Sequence, residues 1–131
     1  MQGKIAVEEH FAVPETLNPV APRTLQNDLL DFESTRISKM DRYGIEYAVT
    51  SLNGPAVQNV PDSDIAVDLA QRTNDLLAEQ VVRHPDRFAG LGALPMQDPE
   101  KAIIELKRCI DDLGFVGVNV NGFSQREDAC L

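Results

Sequence analysis

The sequence predicts an α/β fold built on a parallel sheet, and three observations carry that prediction. Four short β-like runs recur along the 131 residues, segments of helical periodicity separate them, and each run ends in a turn-forming or polar cluster. This alternation is the signature of βαβ units. The chain has ordinary globular composition, 43 % hydrophobic and 25 % charged, and its length suits one domain with a real core.

The first predicted strand is residues 4–8, closing on Glu8-Glu9-His10. Residues 11–33 carry Pro14, Pro19 and Pro22, which forbid regular structure in the first part of the segment. They form a long loop with a short helix over residues 25–30. A helix over residues 34–43 follows, with Ile37 and Met40 inward and Gly44 as its stop. The second strand, residues 46–52, ends at Asn53-Gly54-Pro55. Residues 62–82 predict a helix whose inward stripe is Ile65, Leu69, Thr73, Leu76 and Leu77, stopped at His84-Pro85. The third strand is residues 88–94. Asp98-Pro99 then supplies an N-cap and a first-turn proline, Gly114 a left-handed C-cap, and Ile103, Leu106, Ile110 and Leu113 the face expected to lie on the sheet. The fourth strand is residues 115–121, with only residues 122–131 beyond it.

Parallel strands need cover on both faces, and four in an open sheet leave two unpaired edges. If the order is that of a (β/α)8 barrel, which takes ~250 residues, the chain holds its first half. The expectation is one partial barrel domain over residues 1–131 that ends after the fourth strand.

Twelve basic against 21 acidic residues leave a net charge of -9. Such a surface repels phosphate backbones and anionic lipid, which argues against nucleic-acid and membrane partners. No apolar run approaches the ~20 residues needed to span a bilayer, and the N-terminus has no secretory signature, so a cytoplasmic location is expected. Cys109 and Cys130 lack CxxC spacing and are expected to be free thiols in a reducing compartment, Cys109 as a small buried hydrophobe.

One cluster has metal-ligand character. Glu8 and His10 are two positions apart at the C-terminal end of the first strand, so they project to one face, while Glu9 points the other way. Active sites of parallel α/β folds form outside these strand ends. Taken alone, the pair is equally a solvated carboxylate and a satisfied loop imidazole, and a zinc or manganese site needs further ligands. The other histidine, His84, suits the support of a helix C-terminus. Nucleotide, α/β-hydrolase and zincin motifs are missing. Ser51, Asn53, Asn121 and Ser124 are polar residues at strand ends, fit either for orienting a ligand or for turn chemistry.

Residues 3–11 (GKIAVEEHF), 51–58 (SLNGPAVQ), 85–88 (PDRF) and 114–117 (GFVG) closely resemble the nonoxidative hydroxybenzoate decarboxylases of the amidohydrolase superfamily, of the γ-resorcylate and 2,3-dihydroxybenzoate type, relatives of aminocarboxymuconate semialdehyde decarboxylase. The likeness runs in register over residues 3–125. It implies an α/β (β/α)8 barrel with one divalent ion, zinc or manganese, bound by Glu8 and His10. It also implies a small aromatic carboxylic acid as substrate, decarboxylated by a carboxy-lyase reaction, and a homo-oligomer if the barrel is completed. Asn53, Asn121 and Phe123 are the candidate substrate-binding residues. The family's remaining ligands, a histidine and an aspartate, and its catalytic histidine come from later strands without a counterpart here, so the chain alone is expected to turn over negligibly. In its first loop, Asn18-Pro19-Val20-Ala21-Pro22 replaces an aromatic, glycine-rich piece usual in relatives. Two other readings compete: a noncatalytic interaction module that self-associates or pairs with a full-length relative, and a complete small α/β domain without metal.

Overall fold

The computed structural model describes residues 3–122, apart from the side chain of Ala56. Strands β1 (Lys4–Phe11), β2 (Ile45–Leu52), β3 (Phe88–Ala93) and β4 (Gly117–Asn119) form one sheet in the order β1-β2-β3-β4. Every neighbouring pair is parallel. Helices α1 (Arg23–Leu30) and α2 (Thr35–Tyr43) join the first two strands. The long α3 (Ser63–Arg83) joins the next two, and α4 (Pro99–Lys107), continued by a π-helical turn over Arg108–Asp112, leads into β4. Among the described residues no helix is long and apolar enough to cross a membrane.

Helix ends follow the local chemistry. The Asp62 carboxylate accepts from the backbone N–H groups of Asp64 and Ile65 and starts α3, and that of Asp98 accepts from Lys101 N–H and starts α4. Gly44 closes α2 with φ 69°, the left-handed conformation that glycine adopts without a Cβ clash.

β2 and β3 differ from expectation by one residue each, and the outer two strands differ by more. β1 runs past Glu8 to Phe11 because β2 pairs with it as far as Leu52, so the polar cluster lies within the strand. β4 contracts to three residues. Phe115 stays out of it and folds over the sheet, 4 % exposed.

The helical faces also need correction. In α3, Leu69, Thr73 and Leu77 are buried as expected, but Ile65 is 59 % exposed and Ala66 and Ala70 take the inward positions. In α4 the face is rotated: Ala102, Glu105 and Cys109 are buried, while Ile103 and Ile110 are 55 % and 42 % exposed. The reason is close approach. A Cβ on Gly90 would meet the Phe115 ring at 2.6 Å, and one on Gly92 would meet Cys109 Sγ at 2.6 Å. Such tight packing of helix on strand admits small side chains and excludes isoleucine. Glu105, 1 % exposed, is accommodated because Asn74 and Arg108 donate to its carboxylate at 2.7 to 2.9 Å.

Candidate metal-binding strand end

The glycine contacts fix which side of the sheet faces the helices. Thr50, Leu52, Gly90 and Gly92 turn toward them, so the alternate residues, among them Ser51 and Leu91, line the opposite, inner face. His10 pairs with Ser51 in register, and its Nδ1 lies 3.1 Å from Ser51 Oγ. Asn119 on β4 donates from Nδ2 to the same oxygen at 3.4 Å. An imidazole, a buried hydroxyl and an amide from three strands thus form one chain across the C-terminal end of the inner face. In the tautomer that donates Nδ1–H to Ser51, the imidazole keeps the lone pair of Nε2 for a ligand.

Glu9 turns to the other side, where its carboxylate lies 3.8 Å from Arg36 Nη1 of α2. Arg36 also donates to the main-chain oxygens of His10 (2.6 Å), Asp28 and Asp31, and its guanidinium lies 5.4 Å from the centre of the Phe32 ring. One arginine therefore ties the backbone at His10 to α2. Burial pulls its pKa down, opposed by the charges of Glu9, Asp31 and Asp28.

Glu8 is exposed and makes no hydrogen bond or ion pair among the described residues. The strand is irregular beside it: Ala6 pairs with Ala48 and Glu9 with Thr50, so β1 carries one more residue than β2 over this stretch. This is a β-bulge, a device that re-aims side chains next to sites. Simple alternation does not describe Glu8, and a cleft of about 370 Å³ beside it opens between β1, α1 and α2.

The other candidates are placed as follows. The Asn53 amide is engaged at both ends by Thr16, accepting from its hydroxyl at 3.1 Å and donating to its carbonyl at 3.2 Å. The Asn121 backbone exchanges two bonds with the Gln58 side chain at 2.6 and 3.2 Å. Phe123, Ser124 and Cys130 lie outside the described residues. His84 caps α3 through its backbone N–H to Gln80 and sets its ring edge-on to Phe88, at the strand ends away from His10. Cys109 is a buried free thiol; burial, with the Glu105 charge, pushes its pKa up to about 12. Asn119 and Arg36 are not among the candidates read from the sequence. The Asn119-Val120-Asn121 alternation is the signal that points to Asn119, whereas nothing local marks Arg36.

In kind, a carboxylate and an imidazole suit zinc or manganese. In number they fall short, for among the described residues no group of three His, Cys, Asp or Glu converges.

The Amidohydrolase family model matches residues 10–129, and the chain belongs to that family. It is 54 % identical to the γ-resorcylate decarboxylase of Rhizobium radiobacter over 98 % of its own length and 41 % of the relative's. The crystal structure of a 2,6-dihydroxybenzoate decarboxylase from Rhizobium superposes with a TM-score of 0.91 at 53 % identity, covering all of this chain and 42 % of that one. A dihydroxybenzoic acid decarboxylase from Polaromonas, solved with manganese and 2-nitroresorcinol, gives 0.91 at 54 % identity over 95 % of this chain and 40 % of that one. The chain thus spans about two-fifths of the length of the relatives it matches, and its four parallel βα units are the first half of a (β/α)8 barrel.

Proposed function

We propose that this chain carries the first-strand ligands of a metal-dependent, nonoxidative decarboxylase acting on a hydroxybenzoate-type aromatic acid. The observation that supports the reading best is the inner-face chain at the strand ends. His10 Nδ1 there lies within hydrogen-bond reach of Ser51 Oγ, which accepts from Asn119 Nδ2, in a sequence 54 % identical to a γ-resorcylate decarboxylase.

A bound zinc or manganese ion would act as a Lewis acid and template for the substrate carboxylate and its neighbouring phenolic oxygen. This chain's own residues do the positioning. His10 would offer Nε2 in the tautomer that donates Nδ1–H to Ser51, whose hydroxyl then holds the ring plane. Asn119 in turn orients Ser51, and Arg36 holds the strand backbone. Glu8 supplies a carboxylate whose approach is set by the bulge. Asn53, Asn121 and Phe123 are assigned to substrate binding. The reading places the protein in the cytoplasm, where its thiols stay reduced, and makes it a homo-oligomer once the barrel is closed.

The test exchanges the matching segment of the Rhizobium radiobacter enzyme for residues 3–122 of this chain and measures carbon dioxide release from 2,6-dihydroxybenzoate with zinc or manganese. The exchange is expected to retain turnover, and Glu8→Gln or His10→Ala to lose more kcat/KM than the ~10- to 100-fold cost of removing an outer-sphere partner. A folded exchange enzyme indifferent to both substitutions contradicts the reading. The 131-residue chain by itself, with two ligands and no assigned proton donor, is expected to release carbon dioxide negligibly.

A further inference from the structure

The motif over residues 51–58 ends on Gln58, which the reaction outlined above leaves unused. It stands on the short 3-10 turn Ala56–Asn59 after β2 and is 4 % exposed. A buried glutamine needs partners for both ends of its amide, and Gln58 finds them in another loop. Its Oε1 accepts from Asn121 N–H at 2.6 Å, and its Nε2 donates to Asn121 C=O at 3.2 Å. Both main-chain groups of one residue are taken, as in a hydrogen-bonded pair of a sheet ladder. The clamp reaches from the turn after β2 to the chain after β4, past the intervening β3.

The turn is itself held from the third strand. Gln97, between β3 and α4, donates from Nε2 to the carbonyls of Val57 at 2.6 Å and Val60 at 2.7 Å, one on either side of Gln58. Two side-chain amides thus tie together the segments that follow β2, β3 and β4. The gap enclosed among them measures only about 10 Å³, room for one water at most, which leaves Gln58 little space for another rotamer.

This bracing sets apart the two asparagines at these strand ends. The Asn53 amide is used up by Thr16. The Asn121 amide makes no hydrogen bond among the described residues, although its backbone is gripped at both N–H and C=O. Fixing those two groups fixes the direction in which the side chain leaves the backbone. An unspent amide on an immobilised backbone is the arrangement of a preorganised contact supported from behind.

We infer that Gln58, braced by Gln97, is a positioning residue that holds Asn121 for the substrate contact proposed above, on which reading this inference rests. In the exchange enzyme carrying residues 3–122 of this chain, Gln58→Leu removes both bonds. It should raise KM for 2,6-dihydroxybenzoate and lower kcat/KM by up to ~100-fold, the cost of misplacing a contact by about 1 Å. A loss of folded enzyme would instead lower the apparent kcat and leave KM as it was. Because Gln58 acts through Asn121, the double variant with Asn121→Ala should be no worse than Asn121→Ala by itself. Losses that multiply, or a KM untouched by Gln58→Leu, overturn the inference.

Hydrogen exchange on the 131-residue chain reads the clamp without substrate. Asn121 N–H should be protected in the parent and exchange about tenfold faster in Gln58→Leu, the factor one hydrogen bond is worth. The Ala48 N–H, bonded to Arg87 C=O in the sheet, should stay unchanged as the reference. An unprotected Asn121 amide in the parent overturns the inference even where Gln58→Leu fails to fold, and so does an amide that the variant leaves as it was. An exchange enzyme without turnover, beside an Asn121 amide that Gln58→Leu releases, would count against the proposed function while upholding the clamp.

Discussion

Ser51 shows how much the candidate site depends on a residue that would not itself touch a ligand. It is 4 % exposed, accepts from Asn119 on one side and shares a hydrogen bond with His10 Nδ1 on the other. Ser51→Ala leaves the imidazole free to rotate and to exchange tautomers, and is expected to weaken metal binding by about 10- to 100-fold while the thermal midpoint stays near that of the parent. An unchanged affinity by calorimetric titration would assign Ser51 to packing. Asp31 is a second such residue, acting on α2 rather than on the site. Its carboxylate accepts from the N–H groups of Ser34, Thr35 and Arg36 and from the hydroxyls of Ser34 and Thr35. Burial raises its pKa, but the bonds from Thr35, Arg36 and Ser34 outweigh it and hold the group far below the usual carboxylate range. Its stabilisation is therefore present above the unfolded pKa of about 3.9 and fades as pH falls toward the folded value. Asp31→Ala should cost about 1 kcal/mol at neutral pH, as helix caps do, and the gap to the parent should narrow below about pH 4. A gap independent of pH, measured by urea unfolding, would contradict that origin.

Among the elements, α3 and α4 make the most demanding contacts. The Asn74 side chain accepts from Ala93 N–H at 2.8 Å and donates to Ala93 C=O at 2.9 Å, so it continues the ladder of β3 from the helix. It also donates to buried Glu105. Asn74→Ala would leave these groups without partners in a dry interior and should cost about 3 kcal/mol; a urea-unfolding loss below about 1 kcal/mol would show that water replaces the amide. This network explains where the sequence is silent. Strand positions were legible because short apolar runs between turn signals have few other uses, and Asp62, Asp98 and Gly44 marked helix ends through local chemistry. Which face of α4 meets the sheet was not legible, because Ile103 and Ile110 make as good a stripe as Ala102, Glu105 and Cys109. The decision belongs to Gly90 and Gly92 on another strand, which let the small face come close. The β1 bulge is equally hidden, since one extra residue in a pairing leaves no trace in a single strand's composition.

At the scale of the whole molecule, the four described parallel strands match about two-fifths of the relatives' length, with Glu8 and His10 near the end of the first. The parallel sheet followed from the order of elements, whereas the barrel and the reading of Glu8 and His10 as ligands came from the family resemblance. Ser51 stood among the strand-end candidates, but the other supports of His10 were hidden, because Asn119 and Arg36 reach it from β4 and α2. The measurement that bears most directly on the central claim is manganese binding followed by paramagnetic resonance on the parent chain, Glu8→Gln and His10→Ala, each shown to be folded. The parent should bind the ion and each variant should bind it at least ~10-fold more weakly; equal binding by all three would contradict a metal held at the end of the first strand.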